Sequence, residues 1–164
     1  RLPAMVEVHK KCPDCRLVVA GSGKFHFDIS HYQTLDYIEI RNRFIPDEEL
    51  VALMRHAAFM VCPYTDATQS GVIMSAFAFN KPVVATNVGG LPEMVQHQRY
   101  GLIVKEKDVD ALSQSIVDLW EHPETRHEYA DNICKDYSTG NLSWRCIAHD
   151  LYTEYIKISE LAKK

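Results

Sequence analysis

The chain has 164 residues, a net charge of −4 and a hydrophobic content of 46%. This length and composition suit one globular domain with a sizeable core. The basic residues form no long block, so the charge does not favour nucleic-acid binding. No apolar run reaches the roughly 18 residues that a membrane-spanning helix needs.

The cysteines and the first residues bear on the compartment and on completeness. Five cysteines is an odd number, and a chain of 164 residues is not a small disulfide scaffold, so we expect a reducing compartment. The first five residues, R-L-P-A-M, do not resemble a signal peptide and lack an initiator methionine. We therefore expect the chain to be a piece of a larger protein.

In the first two thirds, short apolar strands alternate with amphipathic helices. This pattern predicts helices over residues 2–11, 46–57 and 72–79, and strands over residues 16–20, 37–44, 59–63, 82–86 and 102–104. The helix over residues 72–79 is mostly apolar, and we expect it to be buried on most faces.

The sequence of the last third predicts three helices. Asp108 is expected to cap the first, Pro123 to open the second, and Ser143 to open a third that runs to about residue 161. One face of the third helix is apolar and contains Trp144, Ile147, Leu151, Tyr155 and Ile158. We predict that this stripe packs on the sheet as core. The alternative is an exposed apolar surface on which another domain docks.

Alternating strands and helices predict an α/β fold, a Rossmann-like parallel sheet with helices on both faces, in one domain over residues 1–164. Ligands bind beyond the carboxyl ends of the strands in such sheets. Three glycine-containing turns follow predicted strands, at residues 21–24, 66–71 and 87–90. Glycine lets a ligand approach the backbone closely, and helix N-termini favour phosphate. We therefore expect these turns to share one edge and one anionic ligand.

The motifs, in this order, resemble the C-terminal half of glycosyltransferase family 4, a family of retaining enzymes with the GT-B architecture. They are R-L-V-V-A-G-S-G, N-R-F-I-P-D-E-E-L, F-M-V-C-P-Y, T-Q-S-G-V-I-M-S-A-F-A-F-N-K-P-V-V-A-T-N-V-G-G-L-P-E and G-L-I-V-K. The segment S-W-R-C-I-A-H-D-L-Y-T-E-Y is similar to the closing helix of that family. The resemblance covers essentially the whole chain.

The resemblance implies that this domain binds a nucleotide-diphosphate sugar. A separate N-terminal domain of the same chain would bind the acceptor, a glycan or lipid-linked molecule such as a growing surface polysaccharide. Backbone N–H groups and basic side chains would stabilise the leaving diphosphate without an obligatory metal. We therefore expect no cofactor, no metal and no nucleic-acid partner. The expected location is cytoplasmic, at the inner face of the membrane through the missing domain, and the isolated chain should be inactive.

The resemblance also implies a set of donor-binding residues, while it assigns no catalytic residue. The glycine loop after the first strand would line the pocket, the next strand end would lie near the base, and the two later turns would hold the diphosphate and shape the pocket. These residues are Gly21, Ser22, Gly23, Lys24, Arg43, Phe44, Asp66, Gln69, Ser70, Gly71, Val72, Ser75, Gly89, Gly90 and Glu93.

The chain departs from the family pattern in two ways. The family has two glutamates around the diphosphate helix, but here the corresponding positions are Ser75 and a residue at or near Ala67. Asp66 could substitute for the first glutamate if the loop shifts by one residue. By the same resemblance, the family's basic residues on the first strand and its loop would precede residue 1 of this chain. The alternatives are a non-catalytic nucleotide or phosphosugar-binding module, or an NDP-sugar epimerase of the same architecture.

Other polar residues have simpler interpretations. The C-x-x-C motif of Cys12 and Cys15 precedes a strand and does not open a helix, so a reactive thiolate is not expected. No second C-x-x-C motif follows, so zinc is not expected either. We interpret His26, Asp28 and His31 as solvated polar residues of a loop or short helix. Glu93 is either a first-turn acid favoured by the helix dipole or part of the pocket.

Overall fold

The computed structural model describes residues 2–140 and 142–161. Its strands are β1 (Leu17–Ala20), β2 (Ile38–Arg41), β3 (Met60–Cys62), β4 (Val83–Thr86) and β5 (Gly101–Val104). Its helices are α1 (Leu2–Lys11), α2 (Ser30–Gln33), α3 (Asp47–His56), α4 (Gly71–Ala78), α5 (Leu91–Val95), α6 (Val109–Glu121), α7 (Pro123–Cys134) and α8 (Trp144–Leu161). A π-helical turn, Lys135–Thr139, follows α7. None of these helices combines the length and the hydropathy needed to cross a membrane.

All strand pairs are parallel, which confirms the predicted α/β fold. The strands form two groups, however. β1 pairs with β2, and β4 lies between β3 and β5. Among the described residues, β1 and β3 therefore each have one edge without a partner strand. The parallel direction brings the loops after the strands of each group to one edge. The sequence analysis predicted a single edge for all three glycine turns, and pairing between the described strands joins only the second and third of them in one group.

The first core lies between the strands and the helices α1 and α6. It includes Val8 of α1 and Ile116 of α6, with Ile38, Val84 and Val104 from both strand groups. The two groups thus share one helical layer, although no strand pairing connects them.

The second core lies on the other face, beneath α4 and α5. Ile73 and Phe77 of α4 and Leu91 of α5 pack on Val83 and Ala85 of β4. Residues of β4 alternate between the two cores, so this strand is buried on both faces. Helices therefore cover both faces of the sheet, as predicted.

The structure corrects the predicted burial of two helices. α4 buries Ile73, Ala76 and Phe77, but Val72 and Met74 are each 42% exposed, so the helix is not buried on most faces. The apolar stripe of α8 is not core. Trp144 is 82% exposed, and most of the stripe lies in solvent because nothing in the described part of the chain covers it. The exposure that the second interpretation expected is observed, and the docking of another domain on this surface stays a prediction.

The π-helical turn, which the sequence analysis missed, is fixed by Asp136. The Asp136 Oδ2 accepts hydrogen bonds from Arg99 Nη2 at 2.6 Å and from the Tyr100 hydroxyl at 2.7 Å. Tyr100 is almost fully buried and contacts Phe77 and Tyr137 edge-on. These contacts attach the segment after α7 to the start of β5.

Candidate functional site

The N-terminus of α4 offers free backbone donors. Ser70 caps the helix, because its buried Oγ accepts a hydrogen bond from Ile73 N–H at 3.3 Å. Within the described residues, neither the Gly71 N–H nor the Val72 N–H has an acceptor. A Cβ atom added at Gly71 would meet no atom within 4 Å. Two N–H groups and the positive end of a helix dipole therefore face open space, an arrangement that favours an anion.

The turn after β4 lies directly against the loop that leads into α4. The Gly90 N–H donates to the Thr68 carbonyl at 3.1 Å. A Cβ atom at Gly89, where φ is +50°, would stand 1.6 Å from the Ala67 carbonyl oxygen. The structure thus brings the second and third predicted turns together. These two glycines allow close approach of a neighbouring loop, a reason that the sequence alone did not show.

The first predicted turn lines a separate cavity of about 240 Å³. Gly21, Ser22, Gly23 and Lys24 form one wall, with Phe25 and Asn42 beside them. Gly21 has a φ of +140°, and neither Gly21 nor Gly23 has an atom within 4 Å of an added Cβ. These glycines face the opening, which is suited to close approach of a ligand.

The end of β2 presents Arg43 and Phe44. The Arg43 guanidinium forms a two-pronged ion pair with Glu49, with Nη1 to Oε2 at 2.8 Å and Nη2 to Oε1 at 2.7 Å. Phe44 is 78% exposed. The hydrogen bonds from Arg43 and then from Arg41 hold the pKa of Glu49 below its usual range, so Glu49 is ionised near neutral pH.

The other predicted residues lie around the α4 turn. Asp66 and Gln69 are exposed in the loop before α4. Ser75 donates its hydroxyl hydrogen bond to the Gly71 carbonyl at 2.9 Å, inside its own helix. Glu93 is exposed in the first turn of α5. The roles of all these residues remain predictions.

Two residues of this region were missed by sequence reasoning. Asn42 Oδ1 accepts a hydrogen bond from the Gly23 N–H at 3.1 Å and so joins the loops after β1 and β2. Glu49 fixes Arg43, as described above. The sequence contains a signal for this ion pair. Arg41 and Arg43 are two residues apart at a strand end and so lie on the same side, and a helix with an acidic first turn follows them.

A second cavity, of about 250 Å³, lies at the ends of β3, β4 and β5 and at the start of α6. Thr86, Lys105 and Lys107 are among its lining residues. The sequence analysis did not identify it. Asp108 also lines it and caps α6 by accepting from the Ala111 N–H at 2.9 Å.

The C-x-x-C motif is structural. Cys12 and Cys15 are both buried, and burial raises the pKa of Cys15 to about 11. Asp28 accepts hydrogen bonds from the N–H and the hydroxyl of Ser30, and so fixes the turn before α2. Both observations agree with the simpler interpretations.

Comparison with known proteins identifies the family. The sequence profile described as "Glycosyl transferases group 1" matches residues 2–122, close to three quarters of the chain. This chain belongs to the group 1 glycosyl transferases. It is 30% identical over 138 residues to an uncharacterized glycosyltransferase of Methanocaldococcus jannaschii, and the match covers 82% of this chain and 38% of that protein.

Solved structures of low sequence identity share the fold of this group 1 chain. Sucrose-phosphate synthase from Thermosynechococcus elongatus superposes with a TM-score of 0.73 at 22% identity, over 98% of this chain and 42% of that one. The HepE protein of Anabaena in complex with UDP superposes with a TM-score of 0.72 at 18% identity, over 96% of this chain and 44% of that one. The chain thus spans about two fifths of the length of each of these three proteins.

Proposed function

We propose that this chain is the donor-binding domain of a retaining glycosyltransferase, which transfers a sugar from a nucleotide diphosphate to a glycan or lipid-linked acceptor. The observation that carries the proposal is the pair of free N–H groups, Gly71 and Val72, at the start of α4. The protein belongs to a glycosyltransferase family, and HepE, which shares the fold, binds UDP.

These N–H groups would act on the leaving diphosphate. Negative charge develops on the diphosphate as its bond to the sugar breaks, and donors already aimed at that charge lower the barrier without reorganisation. The Gly89–Gly90 turn would hold the donors in place, because it packs on the loop that carries them. The Gly21–Lys24 loop would line the pocket at the nucleotide. No cofactor enters this scheme, since the nucleotide sugar is a substrate.

We further propose that the complete protein supplies two parts of the site. The first is a strand between β1 and β3, which would join the two strand groups into one sheet. The unpartnered edges of β1 and β3 and their shared core with α1 and α6 support this strand. Its loop would bring the basic residues that hold the diphosphate in the family.

The second part is an N-terminal domain that binds the acceptor. These proteins are about two and a half times as long as the region that matches this chain, and the apolar stripe of α8 provides a surface for such a domain. The charges on α8 between residues 145 and 157 are balanced, with Arg145 and Lys157 against Asp150 and Glu154. This balance favours a protein surface over an anionic membrane.

The isolated chain lacks the proposed acceptor-binding domain and would therefore be inactive. A role in polysaccharide synthesis at the cytoplasmic face of the membrane stays a prediction.

The test uses the full-length protein with UDP-, GDP- and ADP-sugars, with and without a glycan acceptor. We expect acceptor-dependent release of one nucleotide, and a product whose anomeric proton coupling in the NMR spectrum matches that of the donor. An inverted product would contradict the retaining mechanism. A changed sugar without an acceptor would favour the epimerase, and nucleotide binding without turnover would favour the non-catalytic module.

A further inference from the structure

A cluster of charged residues controls the loop after β2. Glu49 Oε1 accepts from both Arg41 Nη1 at 2.8 Å and Arg43 Nη2 at 2.7 Å. Glu39 holds the other side of Arg41, with Nε to Oε1 at 2.7 Å. Two guanidinium groups thus share one carboxylate, and the pairing with Arg43 uses both prongs, a geometry that fixes orientation as well as distance.

The cluster positions an exposed aromatic ring. Besides its bonds to Glu49, Arg43 Nη1 donates to the Phe44 carbonyl at 3.1 Å. The backbone of Phe44 is therefore held, while its ring is 78% exposed. An aromatic ring on a fixed backbone is a stacking surface for a planar ligand, because little freedom is lost when the ligand binds.

The same loop forms part of the glycine-lined cavity. Asn42 precedes Arg43, lines the cavity and binds the Gly23 N–H. If one strand fills the gap between β1 and β3, then β2 and β3 lie three strand spacings apart, about 14 Å. With that strand in place, one nucleoside diphosphate would extend from Phe44, past the glycine loop, to the start of α4.

We infer that Glu49 is a positioning residue for the nucleobase of the donor. It does not touch the nucleotide. It holds Arg43, which holds the Phe44 backbone so that the ring can stack on the base. Because its guanidinium is occupied by Glu49, Arg43 does not serve as a cation for the diphosphate. This inference rests on the proposed function and extends it to a residue that the donor does not contact.

The test is a double-mutant cycle in the full-length protein, with binding of UDP, GDP and ADP measured by calorimetry. Stacking of one base on an aromatic ring corresponds to a change in affinity of about tenfold or more. We expect Phe44→Ala and Glu49→Gln each to lower the affinity for the nucleotide that the wild type binds by about tenfold. In the Phe44→Ala background, Glu49→Gln should have almost no further effect. Glu48→Gln, an exposed neighbour in the same helical turn, is the control and should bind as wild type.

The outcomes separate the inference from the proposed function. If Glu49→Gln binds the nucleotide as wild type, or if the effects of the two substitutions multiply, Glu49 does not act through Phe44 and the inference is wrong. An unchanged affinity of Phe44→Ala would also overturn it. If the wild-type protein binds none of the three nucleotides, the proposed function fails first, and the inference with it.

Discussion

Gly89 lies against the backbone of Ala67, so close that a Cβ atom at Gly89 would stand 1.6 Å from the Ala67 carbonyl oxygen. This contact fixes the loop after β3 on the turn after β4. Gly71 follows that loop directly, at the start of α4, and a Cβ atom there would meet nothing within 4 Å. The two glycines therefore have different functions, one in packing and one in keeping space open.

Substitution of the two glycines should separate these functions. Gly89→Ala should lower the free energy of unfolding by about 2–5 kcal/mol, because it adds a backbone clash at a positive φ. Gly71→Ala should change it by less than about 1 kcal/mol. Chemical denaturation of both variants checks this prediction. Equal stability of the two variants would contradict the described contact.

The apolar stripe of α8 should matter only if another part of the protein covers it. Leu151 is 55% exposed in this chain. In the full-length protein, Leu151→Lys should cost about 2–3 kcal/mol of stability if the N-terminal domain packs there. His149→Lys, on the polar side of the helix, should cost less than about 0.5 kcal/mol. Similar losses for both variants in thermal or chemical unfolding would argue against this docking surface.

The Asp136 cluster should make stability depend on pH. The hydrogen bonds from Arg99 and then Tyr100 hold the pKa of Asp136 below its usual range. A lowered pKa in the folded state stabilises the protein above the unfolded pKa of about 3.9, and this stabilisation is lost as the pH falls through the folded pKa.

Asp136→Ala should therefore cost about 2 kcal/mol at pH 7, where it leaves the buried Tyr100 hydroxyl without its acceptor. The difference from wild type should shrink below about pH 4. Urea titrations at several pH values measure it, with the exposed Asp131→Ala as control. A difference that stays constant down to pH 3 would contradict the role of the carboxylate.

The thiols should react in the order of their exposure. Burial raises the pKa of Cys15 and of Cys62 to about 11, so only about one in a thousand of these thiols is ionised at pH 8. Cys134 is exposed and should react first with a thiol reagent. Cys134→Ser should remove the fast phase. Rapid reaction of the Cys12 or Cys15 thiol in the folded protein would contradict this order and support a redox role for the C-x-x-C motif.

Much of the fold was predictable because the hydrophobic period is a local property. The predicted strand ends lie within a few residues of the observed ones. The strand predicted over residues 37–44 was too long, because the chain turns after Arg41, where the Arg43 N–H donates to the Arg41 carbonyl. The exposure of α8 was not predictable, because an apolar stripe indicates a contact without naming the partner.

The site was predictable only as a group of turns at strand ends. Parallel strands bring such turns to one edge, so glycine positions could be interpreted together. The packing function of Gly89 and the link from Gly23 to Asn42 depend on loop geometry, which glycine content alone does not specify. Glu49 was missed because its hydrogen bonds come from Arg41 and Arg43, which lie at the end of β2 and not in its own helix.

The most direct test of the central claim is nucleotide binding by the full-length protein with Gly71→Glu. An acid at this position suits the helix dipole and meets no neighbour, so the fold should persist, but its charge would repel a diphosphate. Ala78→Glu is the control, since it adds the same charge to an exposed position about 10 Å along the same helix. We predict that titration with UDP, GDP and ADP shows saturable binding of one nucleotide to wild type and to Ala78→Glu, and none to Gly71→Glu. Undiminished binding to Gly71→Glu would show that the diphosphate does not lie at the start of α4.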